Sequence, residues 1–468
     1  MITRFDIGDR ASQWQLRHDV VEKDYVLGWL LAAIGRHPHT AEHWVFKGGT
    51  CLKKCYFETY RFSEDLDFTL LPGAIYDTDG LRGLLVEIAA EASELSGIEF
   101  PQELVDVRAR EDRLKRPAFG CKLGYRGPLA IHTPPRVVFD LTAHEPLVES
   151  AVVRQVHHAY PDAPTEPIVV RAYPLNELFA EKLRALVERT RPRDLYDVVN
   201  ILTNAIDELD LEAVRRVFAA KCRAKQFEPP DVAGILDIVN REAELVSEWQ
   251  NMLAHQLPEL PPLDLLRSRL PDLLAVLERS APAPARLPSA ARGTDTEVIR
   301  PAGVTYWPVA QPLELVRYAG ANHLLVAFDY HEKPRLVEPY SFRMPGTGNL
   351  LLYGREQASQ QVKAFKVDEI ENLRATTTPF TPRFQIELTS IMPLRSGEAS
   401  LPGAAPRRTR PRSAPQRAGG LGLTYVFECP VCTKRFKRAK NSARLNPHER
   451  KDGWGDCPGR TGFLVEVK

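Results

Sequence analysis

Between Asp65 and Leu70 the chain alternates strictly: Leu66, Phe68 and Leu70 fall on one side, Asp65, Asp67 and Thr69 on the other. A period of two is that of a half-buried strand, whose successive side chains point to opposite faces. Two carboxylates two residues apart then reach the same point, while the apolar side chains anchor the strand in a core. Just upstream stands Lys47-Gly48-Gly49-Thr50, between a short strand-like run at Trp44 to Lys47 and a helical run from Thr50 to Tyr56. Paired hard oxygen ligands suit Mg²⁺, which keeps its other positions for water and substrate phosphates. Glycines at a strand-to-helix junction let a phosphate approach backbone N–H groups and a helix N-terminus. One half would hold metal and the other a triphosphate, the two requirements of phosphoryl transfer. Either feature alone is ordinary, a solvated acidic pair or a plain turn; their order carries the reading.

The surroundings read as α+β. Val20 to Ile34 has helical apolar spacing, and Gly120 to Tyr125 and Arg136 to Leu141 read as further strands. From Leu175 to about Leu277 the pattern is helical, with breaks at Arg191 to Arg193 and Glu228 to Pro230. A mixed sheet followed by a helical half is expected. Ser280 to Gly293 and Ser396 to Gly422 are rich in Pro with Ala, Ser, Gly or Arg, and no core face can be drawn through them. They divide the 468 residues into a unit at 1–279, a linker at 280–297, a unit at 298–394, a basic linker at 395–422 and a small unit at 423–468. A formal net charge of +1 leaves any polyanion contact to local patches. With no signal-like leader and no run of about eighteen apolar residues, a cytoplasmic protein without membrane contact is expected. Cys51, Cys55, Cys121 and Cys222 lie in helical or strand-like patterns and read as reduced core residues.

The segment FKGGTCLKKCYFETYRFSEDLDF, Phe46 to Phe68, resembles the signature of the AbiEii/AbiGii toxin family of nucleotidyltransferases, whose fold resembles the DNA polymerase β superfamily. Glu22-Lys23-Asp24-Tyr25 upstream and EKLRALVERTRPRDLYDV, Glu181 to Val198, downstream extend the likeness over roughly Val20 to Ile201. Cys51 and Cys55 stand where small residues are usual. The resemblance implies Gly48, Gly49 and Thr50 as the nucleotide turn, Lys54 as its basic neighbour, Asp65 and Asp67 as metal ligands, and Lys182 and Asp194 as essential residues. It also implies an NTP substrate, an RNA acceptor (tRNA ends in some members) and a cognate antitoxin.

The residues themselves leave alternatives open. Lys182 lies on the apolar stripe of its helix, one turn from Leu178 and from Leu186, and a lysine there needs a partner. A triphosphate is one; Glu177 or Glu181 is another. Asp194, after Pro192 and three before Asp197, also reads as a helix N-cap. The superfamily resemblance also implies a third carboxylate from a neighbouring strand, for which Asp140 in RVVFDLT is the best candidate by pattern, as general base or metal ligand. Arg61 and Glu64 read equally as an ion pair framing the strand.

In the middle unit, LLVAFDY, RLVEP, NLLLYGRE and FKVDEIENL resemble a WYL domain, a small SH3-like β-fold of bacterial regulators, although the naming Trp-Tyr-Leu is absent. That likeness makes Arg335, Tyr353 and Arg355 ligand candidates, with Tyr353 as a plain strand aromatic the alternative. At the end, Cys429-Pro-Val-Cys432 followed by His448 and Cys457 supplies three thiolates and an imidazole for tetrahedral structural Zn²⁺, and a ribbon-like module this short needs a staple. From Ala405 to Lys468 there are 15 Lys or Arg against 5 Asp or Glu, a charge that fits a nucleic-acid backbone or merely a solvated face. The expectation is thus a Mg²⁺-dependent, NTP-using nucleotidyltransferase toxin; the competing one is a nucleic-acid-binding regulator built on a degenerate transferase scaffold.

Overall fold

The computed structural model describes residues 1–111, 114–278, 287–291, 297–298, 312–345 and 349–389, together with 425–429, 432, 434–438, 448–449, 456–457 and 463–467. The chain forms two compact units, Met1–Ala404 and Ala405–Lys468. Among the described residues no helix is long and apolar enough to cross a membrane.

The first unit opens with α1 (Arg4–Trp14), α2 (His18–Arg36) and α3 (Pro38–His43). Strand β1 (Trp44–Lys47) then runs into α4 (Gly48–Cys51), which continues as one π-helical turn, Leu52–Tyr56, before β2 (Asp65–Leu70). After α5 (Thr78–Ser96) come β3 (Val105–Glu111), β4 (Pro117–Gly124), β5 (Arg136–Thr142), β6 (Val152–Gln155) and β7 (Val169–Ala172). These seven strands form one sheet in the order β3-β4-β5-β2-β1-β7-β6. It is mixed: β2 with β5 and β1 with β7 are parallel, and the other neighbours are antiparallel.

The alternation seen in the sequence fixes which face is core. Leu66, Phe68 and Leu70 are buried beside Phe139 and Leu141 of β5, and Trp44 and Phe46 of β1 pack tilted against Phe68 with ring centroids 5.1 and 5.2 Å away. Full burial of Phe68 alone contributes about 1.5–3 kcal/mol. The opposite face carries Asp65, Asp67 and Asp140. Cys51, Cys55, Cys121 and Cys222 are buried and unbridged.

The helical half comprises α6 (Leu175–Arg189), α7 (Pro192–Asn204), α8 (Leu211–Ala224), α9 (Val232–Arg241), α10 (Ala243–Leu253) and α11 (Leu263–Leu274). Thr190, left-handed at φ 47°, ends α6, and Pro192 at the first position of α7 restarts the chain at once. That break falls where the sequence places one, and further breaks before α8, α10 and α11 cut the helical stretch more often than its apolar pattern suggests.

In the middle region, after β8 (Glu297–Val298), α12 (Leu313–Asn322) precedes β9 (Leu324–Tyr330), β10 (Lys333–Met344), β11 (Leu351–Glu356), β12 (Val362–Lys366) and β13 (Ile370–Pro379). They make a six-stranded antiparallel sheet ordered β12-β11-β10-β9-β13, with β8 on β10. This region is not tethered apart from the transferase half. Arg317 of α12, 1% exposed, donates to Glu58 at 2.9 Å, and Tyr196 of α7 donates to Asn322 at 3.0 Å. The expected linker falls partly outside the described residues; within it, Pro288 accepts from the Gln385 N–H at 2.8 Å.

The ligand candidates of this sheet have partners within it. Arg355 donates to Glu338 at 2.8 Å, Arg335 pairs with Glu356, and half-buried Tyr353 sits between Ser341 and Ala364 in the ladder.

In the second unit, β14 (Tyr425–Glu428) pairs with β15 (Arg435–Arg438) and with β18 (Phe463–Val467), and β16 (His448–Glu449) pairs with β17 (Asp456–Cys457). The Cys429 N–H donates to the Lys434 carbonyl at 3.0 Å, and the backbone register puts His448 opposite Cys457. Among the described residues, no three His, Cys, Asp or Glu side chains gather into a metal cage. The expected basic linker at 395–422 lies outside the described residues.

Candidate active site

Asp65 and Asp67 share a face because they are two apart on β2, and Asp140 joins them because β5 runs parallel with Asp140 opposite Asp67. The three carboxylates make one cluster. Its cost shows in Asp67, whose carboxyl is pushed up to about 7 by burial and by the charges of Asp140 and Asp65; Asp65 is raised too, chiefly by burial. An acid raised in this way by like charges is a site that a cation would relieve.

The glycine turn is built around Asp67. Gly48 has φ +80°, a left-handed conformation, and a Cβ there would lie 2.1 Å from Asp67 Oδ2. A Cβ at Gly49 would meet the Arg61 guanidinium at 2.6 Å. Thr50 turns inward, its hydroxyl donating to the Asp65 carbonyl, so that it ties the turn to the acidic strand.

Lys54 is not a neighbour of the turn. The π-helical turn points it into the core, where its ammonium donates to the Asp24 carboxylate at 2.7 Å and carbonyl at 2.9 Å, and Tyr160 donates to the same carboxylate. The upstream motif is thus bracing throughout: Glu22 accepts from the Leu129 N–H, Lys23 pairs with Glu64 at 2.8 Å, and Tyr25 donates to Asp162.

Lys182 comes from α6 and pairs with neither Glu177 nor Glu181. Its ammonium lies 2.7 Å from Asp197 and 3.9 Å from Asp194. Asp197 is the hub, also accepting from Arg61 at 2.7 and 2.8 Å and from Tyr60 at 2.7 Å. Burial works against its charge, yet Arg61 and Lys182 outweigh burial and hold the carboxyl well below the usual range. The Arg61–Glu64 ion pair, one of two equal readings from the sequence, does not form; each side chain goes to a different partner.

Asp194 is not the N-cap of α7. Arg191 occupies that position, and Asp194 lies in the first turn, fully buried, with both oxygens taken by Arg189 at 2.7 and 3.0 Å. Arg189 is half-exposed and close enough to feel the Asp67 charge, as Arg193 feels that of Asp65. Neither arginine was singled out from sequence. Their signal was the run of basic residues around the helix break, which a capping reading absorbed. On the far side of Asp67, Lys47 pairs with Glu145 and approaches Glu181 at 3.9 Å; these two carboxylates outweigh burial and hold its ammonium well above the ordinary lysine range.

The glycine turn, the acidic strand and the lysine of a later helix all lie within the stretch that a family comparison matches. The model of the family described as nucleotidyl transferase AbiEii toxin, type IV TA system, matches residues 29–279, more than half of the chain. The chain belongs to the AbiEii toxins. It is accordingly a nucleotidyltransferase, of the kind that forms the toxin of a type IV toxin–antitoxin system. Among solved structures, MenT4, a nucleotidyltransferase toxin from Mycobacterium tuberculosis H37Rv, is similar at 21% identity and a TM-score of 0.43, covering 60% of this chain and 91% of its own. No curated protein matches. In this AbiEii chain the family match ends where the helical half ends, before the middle sheet begins.

Proposed function

We propose that this AbiEii protein transfers a nucleoside monophosphate from an NTP to a hydroxyl of RNA, with tRNA the first acceptor to test. The observation that carries the reading is Asp67, crowded between Asp65, Asp140 and the Gly48 turn. Asp65 and Asp67, with Asp140 beside them, are hard oxygen ligands, and the raised Asp67 carboxyl fits Mg²⁺ as the missing counter-charge. Bound there, Mg²⁺ would neutralise charge on the reacting phosphate.

The chain's own groups divide the remaining work. Backbone N–H groups of Gly48, Gly49 and Thr50 would hold the triphosphate, with Lys182 and Arg189 of the helical half as its cationic partners. Asp197 fixes Lys182 and Asp194 fixes Arg189, so both act as positioning residues. The acceptor oxygen bonds to the α-phosphorus as the bond to the β-phosphate oxygen breaks; pyrophosphate leaves, and the hydroxyl proton passes to Asp140. A cognate antitoxin partner follows from the toxin family. Structural Zn²⁺ held by Cys429, Cys432, His448 and Cys457 is proposed for the second unit, supported by the Cys429–Lys434 backbone bond and by the register that opposes His448 to Cys457.

Incubation with Mg²⁺, each labelled NTP in turn and total tRNA tests the reading by whether label enters RNA. Asp67→Ala should abolish that transfer, and full activity in the variant would overturn the assignment.

A further inference from the structure

The acidic face of the seven-stranded sheet does not end at Asp140. The register aligns Asp67, Asp140, Gly120 and Arg108 in one row across β2, β5, β4 and β3, and Asp65, Val138, Lys122 and Asp106 in the next. Arg136 precedes Val138 by two residues and Arg110 follows Arg108 by two, so both share this face. Lys122 and Arg136 are exposed, and the Arg108 and Arg110 side chains are 74% and 49% exposed. Lys122 and Arg136 pair with no carboxylate among the described residues, and Arg108 pairs with Asp106 at 2.9 Å. Arg110 reaches over Gly120, where a Cβ would lie 3.6 Å from it, to pair with Asp140.

We infer that this face, from Asp140 to the β3 edge, is a track for a single-stranded polynucleotide whose terminal hydroxyl is the acceptor. The inference rests on the transferase reading above and names where its acceptor lies. Direction comes first. On the β1 side of Asp67 the face is closed by Lys47 with Glu145 and by the buried Thr69–Tyr173 hydroxyl pair, so an acceptor that reaches Asp140 arrives over β5, β4 and β3. Charge comes second. Four cations against Asp106 and Asp140 line about 10 Å of sheet, two strand spacings, and they complement a phosphodiester chain. Relief comes third. Gly120 and Ala118 leave a low floor between the cations, and apart from Val138 the large apolar residues of β4 and β5 face the core, so this stretch lacks the apolar centre of a protein-docking surface. Arg110, at the head of the track, shields an incoming phosphate from the Asp140 charge.

The test uses the full chain with Arg108→Ala, Lys122→Ala and Arg136→Ala combined, transferring label from NTP to short single-stranded oligoribonucleotides, with oligodeoxynucleotides as a second arm. The expected result is a KM for the oligonucleotide raised at least about tenfold and a log KM against log salt slope shallower by about 2, from three lost contacts at roughly 0.7 each. Affinity for NTP with Mg²⁺, read by equilibrium dialysis, should stay that of wild type, and R108K/K122R/R136K should restore the slope. Robust transfer to oligonucleotides with an unchanged slope would overturn the track alone. A wild-type enzyme that labels a protein or a small hydroxyl compound and no polynucleotide would overturn the acceptor reading and the track with it.

Discussion

At the scale of single residues, Gly48 and Asp67 form one unit. Gly48→Ala should be strained by its positive φ, about 1–2 kcal/mol, and should displace Asp67, whose oxygen occupies the space of the new methyl. Metal-dependent transfer should fall at least about 100-fold, roughly 2.7 kcal/mol of barrier, with the thermal midpoint lowered only by a few degrees. Near-normal activity would show that the turn tolerates a side chain. Asp67 also sets a pH dependence. Its folded pKa, about 7, lies above the ordinary aspartate value, so the metal-free folded state binds more protons than the unfolded one. The stability this contributes is present below pH 4 and is lost as pH rises through 7. Mg²⁺ competes with that proton, so its affinity by calorimetry should climb between pH 5.5 and 7.5 with proton release, and Asp67→Asn should flatten the climb.

At the scale of elements, the helix break between α6 and α7 organises the second side of the site. Asp197→Ala would leave Arg61 and Lys182 without their buried counter-charge, which costs about 3–5 kcal/mol; a thermal midpoint within two degrees of wild type would contradict the hub. Asp194→Ala exposes a half-solvated Arg189 and should cost less stability than Asp197→Ala while still lowering transfer. The two elements that meet at Gly48 were legible in the sequence, because a period of two and a glycine pair are local signals. Asp140 stood out as one acid in an apolar strand once the resemblance implied a third carboxylate, but its register opposite Asp67 comes from the sheet. Asp197 was visible only as half of an Asp-x-x-Asp spacing, and nothing local says that its partners are Tyr60 and Arg61, more than a hundred residues away. Lys54 misled for the opposite reason: it follows the glycine turn in sequence, but the π-helical turn rotates it into the core.

For the whole molecule, α12 joins the transferase to the middle sheet through buried polar contacts. Arg317 is held by Glu58 and Glu314 and donates to the Leu388 carbonyl at 3.0 Å. Arg317→Ala should destabilise the first unit by about 3 kcal/mol, since two acids lose their cation, and should split a single thermal transition into two as the halves uncouple. A composition shift at Ser280 to Gly293 suggested independent units; contacts between distant segments, which no local pattern encodes, make Met1–Ala404 one body. The edge of its large sheet has a last consequence. Among the described residues β3 pairs with β4 alone, an edge whose backbone groups could template a similar strand, and charged side chains such as its alternating arginines are what edge strands use against that. The charges that would attract a substrate should thus also oppose edge-to-edge association, and variants that strip them are expected to show slow self-association at high concentration by light scattering.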